Sequence, residues 1–257
     1  MQKLKSSFGY AIVLWIVGVF PIIFDVLFRS LLNADSSLNS YEDILIAVCT
    51  FIGGLLCLYV ADIECDVKIK EHNWKINLKS LFLTVLFAVA YVTSTFGTLR
   101  RDDLNSLYGL NERVPWQIFI AAALITPWGE ELIYRYSIFS VLRGKEKRLG
   151  KTICAVIISS FMFTVMHFNG GLLRIAELLL FGAVSAIIFH LTDNILYSIV
   201  FHGVANFVSY SICDIFQTVH FHNIILVFSI PLAVLCFALL ISDFTGKKKL
   251  FNKDSCL

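Results

Sequence analysis

Proline, charge and the usual hydrolase signatures are what this sequence has least of. Four prolines in 257 residues leave long stretches with nothing to break a helix, since proline lacks an N–H and crowds the preceding turn. Charged residues make up only 16%, against about 25% in soluble domains, which argues against an ordinary soluble chain of this length. The seven cysteines are odd in number and contain no CxxC pair, so neither a disulfide framework nor a cysteine zinc site is indicated. The HExxH and GxSxG patterns are both absent, which removes the zincin and nucleophile-elbow readings. No pair of aspartates stands inside the apolar segments to suggest an aspartyl protease. Repeated halves and paired broken helices are missing too, which weakens a transporter reading. A net charge of +2 offers no argument for a nucleic-acid partner.

What is present is hydrophobic and arranged in blocks. Apolar residues reach 58%, with 23 Phe, and mean hydropathy is +0.78. The blocks are long enough to cross a bilayer, which takes about 20 apolar residues. They predict an all-α polytopic bundle of about eight membrane helices over residues 8–29, 42–61, 78–98, 115–141, 152–168, 171–191, 194–213 and 223–242. No linker divides them, so residues 1–257 are expected to form a single membrane domain. The first block follows Lys3 and Lys5 and has no small-residue cleavage site, so it is expected to stay as an uncleaved helix. Cys256 is next to last rather than fourth from the end, so no C-terminal prenylation box is expected on the chain itself.

Basic residues set an orientation. Fifteen fall on one side: Lys3, Lys5, Lys68, Lys70, Lys75, Lys79, Arg143, Lys145, Lys147, Arg148, Lys151, Lys247, Lys248, Lys249 and Lys253. Five fall on the other: Arg29, Arg100, Arg101, Arg113 and Arg174. Positive loops stay inside, so both termini are expected in the cytoplasm, with the plasma membrane as the host bilayer.

Ionisable groups within apolar helices are functional candidates, because each costs about 2.5–3.5 kcal/mol on insertion scales. Here they concentrate in the fourth, fifth and seventh blocks. The fourth reads Thr126-Pro127-Trp128-Gly129-Glu130-Glu131-Leu132-Ile133-Tyr134-Arg135. Glu131 and Arg135 are four apart, share a helix face and can pair. Glu130 points about 100° away and has no charge partner nearby in sequence, which suits a general base. Pro127 and Gly129 can together loosen the helix beside it. In the fifth block Phe163 and His167 share a face, so the ring can pack beneath the imidazole. In the seventh, His202 and Asn206 are one turn apart. The plain alternatives are structural carboxylates paired to Arg135 and a histidine, an interfacial His167, and an interhelical His202–Asn206 hydrogen bond. Elsewhere, Arg174 and Glu177 are read as a structural pair, His190 and Asp193 as turn residues, and His220 and His222 as solvated.

The ordered set Glu-Glu-x-x-x-Arg, Phe-x-x-x-His, His-x-x-x-Asn resembles the CAAX protease and bacteriocin-processing family, also called the Abi or type II CAAX prenyl endopeptidase family. Glu130, Glu131 and Arg135 match the first motif, Phe163 and His167 the second, His202 and Asn206 the third. The stretch from Phe181-Gly182 through Asn194-Ile195-Leu196 also has the family's look. The likeness covers about residues 114–210. It implies an intramembrane endopeptidase acting on a membrane-associated peptide or protein, by CAAX-type, leader-peptide or bacteriocin-related processing. Glu130 and His167 would activate water, and His202 and Asn206 would stabilise the oxyanion, with Glu131, Arg135 and Phe163 in support. Members are often labelled metalloproteases. Zinc held by Glu130, His167 and His202 is the alternative to the metal-free site favoured by ligand chemistry, since asparagine is a poor zinc ligand. Membrane lipid and a peptide or protein substrate are the expected partners. A non-catalytic immunity or regulatory protein of the same fold is the competing reading. Depth counting places His167 near the outer side, so a tilted or broken helix is expected there.

Overall fold

The computed structural model describes residues 8–32, 42–64, 74–98, 116–145, 147–167, 171–216 and 222–254. The N-terminal and loop cations Lys3, Lys5, Lys68, Lys70, Arg100, Arg101 and Arg113, together with Cys65, Cys256 and His220, lie outside these residues. The described residues form eight helical rods and no strand, in the predicted order. They are α1 (Phe8–Leu32), α2 (Glu42–Glu64) and α3 (Leu78–Thr98), then a composite rod α4 over 116–143, α5 (Leu149–Met166), α6 (Leu172–Thr192), α7 (Ile195–Phe216) and α8 (His222–Asp254).

Five of the rods contain stretches long and apolar enough to cross a membrane: Asp43–Ile63, Leu78–Thr95, Leu149–Met166, Leu172–Thr192 and Phe228–Thr245. Shorter apolar helical stretches occupy Phe8–Phe24 and Ile195–Ser211. With no water in hydrocarbon to satisfy the backbone, the helix is the structure such segments must take. Leu78, Phe82, Ile157, Leu172 and Phe228 stay exposed on these rods, as side chains facing lipid would. The largest boundary difference from the sequence reading is α8, which runs to Asp254 rather than 242. Its polar tail is rich in lysine, a good helix former.

Contacts gather the chain into two compact units, Met1–Asn73 with Val114–Ile187, and Trp74–Arg113 with Ile188–Leu257. In the first, α1 and α2 pack on α4, and α4 on α5. Its core joins Leu14 of α1 and Cys57 of α2 to Ile133, Tyr134 and Ile138 of α4 and Phe163 of α5. Glycine permits a close approach of α2 to α4. A Cβ on Gly129 would collide with the Thr50 carbonyl oxygen, and one on Gly54 would lie 2.7 Å from the Gly129 carbonyl oxygen. The two backbones therefore touch where α2 crosses the turn before Glu130. Gly129 thus serves close packing, a role beyond the loosening expected of it from sequence.

In the second unit, Phe87 of α3 stacks on Phe201 of α7 at 5.5 Å and on Phe237 of α8 at 5.1 Å. Asn77 caps α3 by accepting the Ser80 backbone N–H at 3.2 Å, and its own N–H donates to the Tyr197 hydroxyl at 2.8 Å. Asp243 of α8 accepts from Ser80 Oγ at 2.7 Å and from Lys79 Nζ at 3.2 Å.

Candidate active site

α4 does not wind as one α-helix. It runs as α (Trp116–Ile120), π (Ala121–Ile125), α (Thr126–Glu131), π (Leu132–Phe139) and α (Ser140–Arg143). Each wide turn has a local cause. Pro127 offers no N–H to the carbonyl four residues back and crowds it, and the first π segment ends just before it. In the second, Ser137 Oγ donates to the Leu132 carbonyl at 2.8 Å and Ser140 Oγ to that of Arg135 at 3.4 Å, each five residues back. Such π segments are frequent at functional sites. The one ordinary α turn between them carries Gly129, Glu130 and Glu131.

Glu131 and Arg135 are fully buried and pair across that junction, Oε1 to Nη1 at 3.3 Å. α6 completes the pair. Ser185 Oγ donates to Glu131 Oε2 at 2.7 Å, and Arg135 Nη2 donates to the Gly182 carbonyl at 3.4 Å. The guanidinium lies over the Phe163 ring, 4.7 Å from its centroid. Phe163 is held edge-on by Tyr134 at 5.4 Å and stacked on Phe181 at 5.8 Å.

Phe163 also stacks on the His167 ring, centroids 4.3 Å apart. α5 ends at Met166, and His167 forms its C-cap with φ −109° and ψ 17°, close to the end at 168 read from the apolar block. Freed from the helix, the imidazole turns back onto its own last turn. Nδ1 lies 2.9 Å from the Phe163 carbonyl oxygen. A carbonyl only accepts, so Nδ1–H donates and Nε2 faces outward. Nε2 lies 3.3 Å from Glu130 Oε1. The imidazole is the more accessible member of this pair, with 30% of its side chain exposed against 9% for Glu130.

The structure thus brings together Glu130 with His167, Phe163 with His167, and Glu131 with Arg135. His202 and Asn206 belong to the second unit, one turn apart on α7, with His202 buried and Asn206 half-buried. Arg174 and Glu177 pair at 2.7 Å, as their spacing predicts. Ser185 and the Gly182 carbonyl went unread in the sequence. The available signal was a glycine and a serine three apart within an apolar helix, the residue types that mediate helix contacts in membranes.

Among the described residues no three His, Cys, Asp or Glu side chains gather closely enough to hold a metal ion. Glu130 and His167 supply two possible donors within the first unit.

The fold and its apolar spans define a polytopic, all-helical integral membrane protein. Residues 112–208 match the family described as type II CAAX prenyl endopeptidase Rce1-like. The likeness read from the three motifs is borne out by this match, which spans all seven motif residues and carries protease activity at the level of the family. No curated protein and no solved structure matches the chain.

Proposed function

We propose that this chain is an intramembrane endopeptidase that hydrolyses a peptide bond in a membrane-associated peptide or protein. The observation that carries the reading is the 3.3 Å approach of Glu130 Oε1 to an imidazole whose other nitrogen is committed to a backbone carbonyl. With Nδ1–H engaged and both groups deprotonated, Nε2 and Oε1 are two acceptors side by side, and one water molecule can donate a proton to each. Glu130 takes a proton from this water as it attacks the scissile carbonyl, with His167 orienting it. The same proton then passes to the leaving amine. His202 and Asn206, each carrying an N–H donor on one face of α7, stabilise the oxyanion. Asparagine at the third motif is a poor zinc ligand, which favours a metal-free site, so cleavage is expected to survive a strong chelator. The excess of basic residues on one set of loops supports cytoplasmic termini, and the plasma membrane is the proposed location.

The test is cleavage in detergent of peptides ending in a CAAX sequence, with and without a prenylated cysteine, and of a membrane-anchored leader peptide. Glu130→Ala and His167→Ala should each lower turnover by about 10²–10⁴-fold, the usual worth of general acid–base catalysis, while leaving thermal unfolding near wild type. Cleavage that persists in both variants would refute the catalytic reading and favour a non-catalytic immunity or regulatory protein.

A further inference from the structure

Glu130 and His167 are joined through a second route besides their own contact. Glu131 follows Glu130 on the α turn and pairs with Arg135 at 3.3 Å. Arg135 lies over Phe163, and Phe163 stacks on His167. This path starts on α4, crosses to α5 and returns to Glu130. One end of it, Glu131, is held from α6 by the buried Ser185 hydroxyl at 2.7 Å.

We propose that Ser185 is a positioning residue for the hydrolysis: by donating to Glu131 Oε2 it fixes the carboxylate, hence the Arg135 guanidinium, the Phe163 ring on it, and the His167 imidazole against Glu130. The inference rests on the proposed function for its effect on turnover, but not for its effect on the imidazole. The physical argument concerns freedom. A carboxylate held at one oxygen by a cation can still swing about its last torsion. A hydroxyl on the second oxygen, from another helix, removes that swing. Gly182 belongs to the same device. Its missing side chain lets α6 approach α5, where a Cβ would stand 3.0 Å from Ser160 Cα, and its carbonyl accepts from Arg135. α6 thus grips both members of the ion pair one turn apart, which is the arrangement a rigid support for a reacting pair calls for.

Three variants and two readouts test this. Ser185→Ala should lower kcat about tenfold with KM within about twofold, the loss expected when one charge-assisted hydrogen bond goes. Ser185→Thr, which restores the hydroxyl, should recover most of that loss. Independently of activity, carbethoxylation of His167 by diethylpyrocarbonate, followed by peptide mass spectrometry, should quicken several-fold in Ser185→Ala as the ring loosens. It should stay at the wild-type rate in Ser185→Thr, and Gly150→Ala, where an added Cβ meets nothing within 4 Å, serves as the neutral control. Wild-type labelling in Ser185→Ala overturns the inference whatever happens to turnover. So does a Ser185→Thr variant as slow and as readily labelled as Ser185→Ala, since packing rather than the hydroxyl would then be the cause. Quickened labelling in a chain whose cleavage ignores Glu130 upholds Ser185 as the support of His167 and sinks the protease reading alone.

Discussion

Replacing Glu131 by alanine isolates the most buried electrostatic feature of the molecule. The substitution removes the partner of an arginine with no exposed surface and withdraws the acceptor from Ser185 Oγ. Breaking a buried pair by deleting one member costs about 3–5 kcal/mol, because the remaining charge has no water to turn to. For a chain of this size each kcal/mol moves the unfolding midpoint by about 2–4 °C, so a fall of about 6–20 °C is expected. Glu131→Gln keeps an oxygen for Arg135 and Ser185 and should lose less. The double change Glu131→Leu with Arg135→Met leaves no orphaned charge and should be milder than the sum of its parts, since contacting partners are not additive. A thiol-reactive dye reports the transition in detergent. Cys57 and Cys236 are buried and label on unfolding, whereas the exposed Cys154 and half-buried Cys49, with Cys65, Cys213 and Cys256, are first changed to serine to clear the baseline. A midpoint for Glu131→Ala within about 2 °C of wild type, or strict additivity in the double variant, would refute the reasoning, whose scale is set by the buried-pair magnitude.

Gly129→Ala should cost about 1–3 kcal/mol by overpacking, because the new Cβ would press on the Thr50 carbonyl. Thermal unfolding measures this, and turnover should fall with it since the displaced turn carries Glu130. Phe163→Leu keeps the volume apolar but removes the surface under both Arg135 and His167. A loss of about 0.5–2 kcal/mol in stability is expected from the lost cation–π contact, with a larger proportional loss in kcat. Asp243→Asn should shift the midpoint little, by less than about 1 kcal/mol. Its partner Lys79 is 71% exposed, and an amide oxygen can still accept from Ser80. A large shift there would mean that this surface pair matters more than its geometry allows.

Features that recur at helical spacing were readable in the letters. Glu131 and Arg135, Phe163 and His167, and His202 and Asn206 are each four apart, and helix geometry alone puts each pair on one face. The eight rods were equally legible, since apolar blocks of bilayer length leave the backbone few choices. The end of α5 lies close to the end of the fifth apolar block at residue 168. What escaped depends on partners distant in sequence or on winding. Ser185 meets Glu131 across 54 residues, and nothing local in α6 marks that serine as a donor to a carboxylate. Gly129 looked like a flexible joint because it has no side chain and stands close after Pro127. Its closeness to Thr50 is a property of two helices, not one. The π segments in α4 arise from proline crowding and serine hydroxyls reaching five residues back, effects that hydrophobic periodicity does not register.

The wide winding of α4 makes length a variable in its own right. Each π turn holds about one residue more than an α turn, and each residue rotates an α-helix by about 100°. Deleting a single residue between 132 and 134 would bring Arg135 one position nearer Glu131 and turn it to a different bearing, while Gly129 stayed pinned against α2. Glu130 would remain in place and Arg135 would no longer fall over Phe163. A change that looks minor on paper, one apolar residue fewer in an apolar helix, would separate the two carboxylates' surroundings more thoroughly than most substitutions at either glutamate.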